Sequence, residues 1–152
     1  MDIIEFFGSD AVCRQFLIRE LRRCDWEAGK FLLKLIETDT LGQTLGGSGK
    51  LFFLTDGISV VSYLTLTVQD CIIAPDLTPW IGFVYTFPEY RGHRYSGSLL
   101  DHACRCAALS GASSVFLATD HIGLYEKYGF AYLENRLDVY GETSRIYVRK
   151  TS

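Results

Sequence analysis

Pro88-Glu89-Tyr90-Arg91-Gly92-His93-Arg94-Tyr95-Ser96-Gly97 decides the reading of this chain. The stretch follows an apolar, aromatic run from Trp80 to Phe87 and opens a helical pattern at Tyr95. A strand that ends in a basic, glycine-bearing turn and then becomes a helix is suited to holding a phosphate or diphosphate. The first turn of a helix carries N–H groups without intrahelical partners, and the macrodipole adds partial positive charge at that end. Gly92 and Gly97 carry no Cβ to keep a ligand away from the backbone. Arg91, Arg94 and His93 add cationic donors. The turn therefore predicts a site for an anionic cofactor.

Downstream, Leu99, Leu100, Ala103 and Ala107 recur at helical spacing, with Asp101 and Arg105 four apart on the wet side, and Gly111 ends the helix predicted over Tyr95–Leu109. Ser114 to Ala118 is an apolar strand. Ile122 to Tyr128 is a short helix stopped by Gly129, and Phe130–Tyr140 and Ser144–Arg149 pair around Gly141. Upstream, Ile3, Ile4 and Phe6 mark a first strand. Ser9 or Asp10 caps a helix carrying Val12, Phe16, Leu17 and Leu21, and a second helical pattern runs from Trp26 to Ile36. Glu37 to Lys50 is polar and glycine-rich and is predicted as a loop. Its resemblance to a phosphate loop fails, because Leu51 follows Lys50 where Ser or Thr is needed. Leu51–Leu54 and Ser59–Val68 are strands joined by Thr55-Asp56-Gly57-Ile58, whose Asp-Gly is a hairpin signal. The order is β-α-α-β-β-β-α-β-α-β-β. Hairpins predict a mostly antiparallel sheet, and the crossover from Trp80 to Ala118 predicts one parallel pair.

With 152 residues, 48% apolar and 22% charged, one folded domain spanning residues 1–152 is expected. A net charge of -3 argues against a general nucleic-acid binder, and no apolar run approaches the length that spans a bilayer. Met1 to Gly8 carries Asp2 and Glu5 and lacks a basic start with a long apolar core, so no secretory signal is expected. The five cysteines are odd in number and form no CxxC pair, which predicts reduced, structural thiols in a cytoplasmic protein. No His/Cys/Asp set has metal-ligand spacing.

The segment PEYRGHRYSGSLL resembles the acyl-CoA-binding turn of the GNAT superfamily of N-acetyltransferases. HIGLYEKYGF, His121 to Phe130, resembles that superfamily's second signature, and the two lie about thirty residues apart with a helix and a strand between them. The resemblance implies an α+β fold with a mixed, mostly antiparallel sheet of six to seven strands flanked by about four helices. It implies acetyl-CoA as co-substrate and a small-molecule or peptide amine as acceptor, with direct attack of the amine. Pantetheine would run along backbone near Val84, Tyr85 and Thr86, the diphosphate would sit on Arg91 to Gly97, and His121 would donate to the pantetheine arm. Tyr125 matches the general acid that protonates the thiolate. Relatives often pair through their late strands, which leans toward a homodimer.

The turn departs from the superfamily pattern, which has glycine or alanine where Arg94 and Ser96 stand. An arginine at positive φ would be strained, so ordinary backbone is expected at Arg94. Trp80 to Thr86 offers no carboxylate or imidazole, which leaves Glu89, Asp70, Asp76, Glu126 or a water relay as base, or an amine captured already neutral. That gap also keeps open a non-catalytic acyl-CoA-binding module. Tyr125 has an alternative reading as a core aromatic spaced with Tyr128, His121 as the cap of the short helix, and Trp80, Phe83, Tyr85 and Phe87 as core or as lining of an acceptor pocket. Trp26–Lys50 and Asp70–Pro79 would shape that pocket. Asp70, Asp76, Glu134 and Asp138 near its mouth would favour a cationic acceptor.

Overall fold

A computed structural model describes all 152 residues. Seven strands form one sheet: β1 (Asp2–Glu5), β2 (Lys50–Thr55), β3 (Val60–Thr67), β4 (Trp80–Thr86), β5 (Ser114–Thr119), β6 (Ala131–Leu137) and β7 (Thr143–Lys150). Their spatial order is β1-β2-β3-β4-β5-β7-β6. All neighbours are antiparallel except β4 and β5. The helices are α1 (Ala11–Leu21), α2 (Glu27–Glu37), α3 (Leu41–Leu45) and α4 (Tyr95–Leu109). No helix is long and apolar enough to cross a membrane.

Strand β2 reads as an unbroken apolar run because the sheet is covered on both faces. On β2, Phe52 and Leu54 enter the core under α4 together with Leu99, Leu100 and Ala103. Leu51 and Phe53 face the other way, into a second core with Leu17 and Leu21 of α1 and Leu32 and Leu35 of α2. Central β3 is buried along its whole length for the same reason. Each fully buried leucine in these layers contributes roughly 1.5–3 kcal/mol. Asp10 caps α1, its carboxylate accepting from Cys13 N at 2.8 Å.

Three local expectations change. The stretch predicted as a loop, Glu37 to Lys50, contains α3, whose Leu41 and Leu45 drop into the second core. Tertiary burial there outweighs the poor helix propensity of Gly42 and Thr44. Asp101 does not serve Arg105 but accepts from Arg149 of β7 at 2.8 Å, tying α4 to the sheet. The helix predicted over Ile122–Tyr128 shrinks to one 3₁₀ turn, Tyr125–Tyr128, closed by Gly129 at φ 87°.

The feature that creates a site is the β4–β5 pair. Parallel pairing is confined to Trp80 opposite Phe116 and Ile81 opposite Leu117, and beyond those positions the strands part. At the same level β4 carries a bulge: two residues separate Gly82 from Tyr85 where one separates Thr65 from Tyr63 on β3. Phe83 sits within it at φ 51°. From Gly82 onward the β4 edge facing β5 is left without a ladder partner, in the mouth of a cleft.

Candidate active site

Two cavities fill the opening between the parted strands. The first, about 530 Å³, runs along Val84, Tyr85 and Thr86 to the turn at Arg91, Gly92, Arg94, Tyr95 and Ser96. The second, about 640 Å³, lies over Ile81, Gly82 and Phe83 and is walled by Trp26, Phe31 and Tyr140. They share Trp26, Val84, His121 and Tyr125 and so form one continuous cleft.

At the first end the backbone is built for an anion. The N–H groups of Gly92, His93, Arg94, Tyr95 and Ser96 have no acceptor within the chain, whereas that of Gly97 donates to Arg94 O at 3.1 Å. Gly92 (φ 89°) and Arg94 (φ 59°) both take left-handed backbone, which turns successive amides into a concave nest ahead of α4. The ordinary backbone expected at Arg94 is thus corrected: it does occupy the strained region. Its guanidinium donates to Lys127 O at 3.1 Å and lies 5.2 Å from the Tyr128 ring centroid, contacts that offset the strain. Arg91 donates through Nε to Thr86 O at 2.9 Å and packs over Tyr85, which fixes the entry to the turn.

Two expected contributors stand elsewhere. Gly97 does not line the cavity, and a Cβ there would meet Tyr128 Cε1 at 2.9 Å, so this glycine makes room for the Tyr128 ring. The His93 side chain, exposed and 5.4 Å from the Tyr95 ring, also lies outside the cavity, leaving only its amide in the nest.

Tyr125 stands where the two cavities meet. It is 8% exposed, packed edge-on to Phe130 at 6.1 Å, and held by Phe130 N donating to its carbonyl. Its hydroxyl has no protein partner yet is not sealed off: the single buried side-chain oxygen without a partner is Thr65 Oγ1. The hydroxyl therefore faces the cleft. Burial, helped by the neighbouring Tyr128, pushes its pKa up to about 12. His121 lines both cavities with an exposed side chain. Its N–H donates to Thr119 Oγ1 at 3.1 Å, its carbonyl accepts from Tyr147, and the 3₁₀ turn starts after Leu124, so it does not cap that turn.

Of the four carboxylates considered as base, Asp70 alone lines the cleft. Glu89 pairs with Arg23, Asp76 with Arg136, and Glu126 accepts from Gly123 N. Glu134 also pairs with Arg136, and Asp138 accepts from Tyr140 N and Glu142 N, so the acidic mouth reduces to Asp70 among those four. The aromatic strand divides by position: Trp80 and Phe87 are core, Phe83 lines the larger cavity and Tyr85 the smaller. Trp26 and Phe31 lie in a region without a readable motif. The parting of β4 from β5 that exposes the β4 edge had no signal beyond the Gly82-Phe83 pair.

A protein-family model described as an acetyltransferase (GNAT) domain matches residues 52–133, which include the bulged strand, the amide nest and the Tyr125 turn. The chain belongs to the GNAT acetyltransferases. The same fold recurs in an aminoglycoside 6'-N-acetyltransferase from Enterococcus faecium (14% identity, TM-score 0.71, 100% of this chain and 98% of that one). It recurs in an aminoglycoside 6'-N-acetyltransferase complexed with coenzyme A (12%, 0.69, 100% and 98%). A third match is an acetyltransferase from Streptococcus agalactiae (22%, 0.66, 98% and 97%). No curated protein matches the chain by sequence. Acetyl-CoA is the co-substrate of this GNAT domain. The five unpaired amides and the free β4 edge suit its diphosphate and its amide-bearing arm.

Proposed function

We propose that this GNAT protein transfers the acetyl group of acetyl-CoA to a primary amine, with Tyr125 as general acid. The observation that carries the reading is the place of the Tyr125 hydroxyl, at the junction of an amide-lined cavity and an apolar one. The nest at Gly92–Ser96 holds the diphosphate by main-chain N–H groups, and α4 adds its positive end. Gly92 takes the left-handed backbone of the nest at φ 89° without strain and carries no Cβ. Backbone of Val84–Thr86 orients the pantetheine arm along the unpaired edge, and His121 adds a donor where the cavities join. When bound, acetyl-CoA supplies the thioester that the amine attacks.

Tyr125 holds a proton on Oη at neutral pH, because burial disfavours the phenolate. It is therefore charged for delivery to a leaving thiolate. The acceptor enters from the side of Trp26 and Phe31, where the larger cavity opens.

Release of free CoA from acetyl-CoA across a panel of amines, wild type against Tyr125→Phe, tests this. Loss of general acid catalysis is expected to slow turnover about 10²–10⁴-fold while CoA affinity holds. A Tyr125→Phe enzyme as fast as wild type would remove the phenol from the mechanism. Binding of acetyl-CoA with no turnover on any amine would favour a sensing module instead.

A further inference from the structure

The larger cavity has a composition that says which amine enters it. Of its 20 lining residues 13 are hydrophobic, and none is lysine or arginine. Several of its aromatics are left open to solvent: Trp26 is 37% exposed, Phe31 43% and Tyr140 77%. Trp26 stacks on Tyr85 at 5.4 Å and 9°, and Phe31 lies 6.4 Å from Phe83, so the walls are held in place by other rings. Open aromatic surface gathered around one cavity marks a binding site for an apolar body.

The floor of that cavity is different. The Asp70 carboxylate reaches it because position 82 is glycine: a Cβ there would stand 2.8 Å from Asp70 Oδ2 and 3.2 Å from Thr65 Oγ1. Oδ1 accepts from Cys71 N at 2.8 Å, and no cationic side chain pairs with the carboxylate. Burial raises the Asp70 pKa, with the Cys71 amide opposing, so the charged form is costly in the empty cavity and a cation seated beside it offsets that cost. Thr65 Oγ1 is buried without a partner on the same side and leaves hydrogen-bonding capacity unspent. Two further carboxylates line the cavity, Glu27, which is paired with Lys30, and Asp120, beside the junction with Tyr125.

Resting on the acetyltransferase reading above, we infer that the acceptor is a monoamine with an aromatic or aliphatic body, such as an arylalkylamine. Its nitrogen is seated by Asp70 and its body lies between Trp26, Phe31 and Phe83. One recessed carboxylate in an apolar, ring-walled cavity suits one ammonium on one apolar group. The other two carboxylates, Glu27 and Asp120, are exposed, so a polycation would meet them in water and would have to desolvate its remaining ammonium groups against the rings. The aminoglycoside enzymes that share the fold therefore do not set the substrate of this chain.

The test compares kcat/KM of the full chain for 2-phenylethylamine, tryptamine and hexylamine with kanamycin and spermidine, at fixed acetyl-CoA. The apolar monoamines are expected to lead by about tenfold or more, the worth of burying one ring. Asp70→Asn is expected to raise the amine KM about tenfold, the loss of one charge-assisted contact, with the acetyl-CoA KM unchanged. Phe31→Ala, at a half-exposed helix position outside the two cores, is expected to raise KM for 2-phenylethylamine more than for hexylamine. Faster turnover of kanamycin or spermidine, or an amine KM indifferent to Asp70→Asn, would overturn the assignment. Calorimetry separates the two levels: acetyl-CoA binding without acetylation of any apolar monoamine sinks this assignment alone, whereas no acetyl-CoA binding sinks the acetyltransferase reading beneath it.

Discussion

The guanidinium of Arg94 donates to the main-chain carbonyl of Lys127 across 3.1 Å, and with its packing on the Tyr128 ring this contact couples the two halves of the cleft. Arg94 belongs to the amide nest, and Lys127 belongs to the 3₁₀ turn that carries Tyr125. The conformation of the nest is therefore tied to that of the turn that carries Tyr125. The superfamily pattern has glycine where this chain has Arg94, so the coupling comes with a strained backbone that glycine would avoid.

Substitution at Arg94 separates the strain from the tie. Arg94→Gly removes both, while Arg94→Ala removes the tie and keeps a side chain at φ 59°. The glycine variant is expected to be more stable than the alanine variant by about 1–2 kcal/mol, the cost of left-handed backbone for a residue with Cβ. Both should weaken acetyl-CoA binding relative to wild type, and the alanine variant more. Urea denaturation and calorimetry with acetyl-CoA give the two quantities. Equal stability of the variants would show that the loop relaxes out of the left-handed region on its own.

Gly97→Ala tests a packing role at a position that pattern alone assigns to the ligand. Its Cβ would meet the Tyr128 ring at 2.9 and 3.1 Å, so the ring or the helix has to move. Overpacking of this kind costs typically about 1–3 kcal/mol. Pairing Gly97→Ala with Tyr128→Ala should recover part of that loss, since the two changes share one contact. Thermal denaturation of the two singles and the double closes the cycle. Simple additivity would place the strain of Gly97→Ala elsewhere.

Glu20 is the one charged side chain in the core, 9% exposed. Its Oε1 accepts from Val60 N at 2.8 Å and from Arg23 at 3.2 Å, and Arg23 reaches on to Glu89, just before the nest. Glu20→Ala leaves a buried N–H without an acceptor and is expected to cost about 1–3 kcal/mol. Glu20→Gln keeps an oxygen at the same reach and should cost less. Chemical denaturation ranks the pair, and equal costs would assign the stabilisation to the ion pair with Arg23, which both variants lose.

The parts of this architecture that were readable from residues are the ones with local causes. The Asp56-Gly57 hairpin, the stripe of Leu99, Leu100, Ala103 and Ala107, and the stop at Gly111 each follow from backbone or periodicity over a few residues. The nest was readable because free amides at a helix start are a property of the turn itself. What escaped reading depends on contacts distant in sequence. α3 forms because Leu41 and Leu45 find a core supplied by α2 and β2. Gly97 answers to Tyr128, thirty-one residues away, and Asp70 enters the cleft only because Gly82 lies beside it. Arg94 was misjudged because its strain is offset by Lys127 and Tyr128, which no local pattern reveals.

The alkaline side of the pH profile distinguishes a buried phenol from an exposed one. An ordinary tyrosine loses its proton near pH 10, but burial carries Tyr125 up to about 12. The raised value favours the neutral form in the folded protein, so its contribution to stability is complete below pH 10 and is lost as pH rises toward 12. Turnover at saturating substrates should therefore show no descending limb from this group between neutral pH and pH 10. The amine acceptor works in the same direction, since a rise in pH frees its lone pair. Tyr125→Phe should lower the plateau without changing where the ascending limb lies. Phe130→Ala, which opens the wall against the Tyr125 ring, should admit water and bring a descending limb to lower pH. A wild-type descending limb well below pH 10 that Tyr125→Phe abolishes would mean that the phenol is not held neutral by burial.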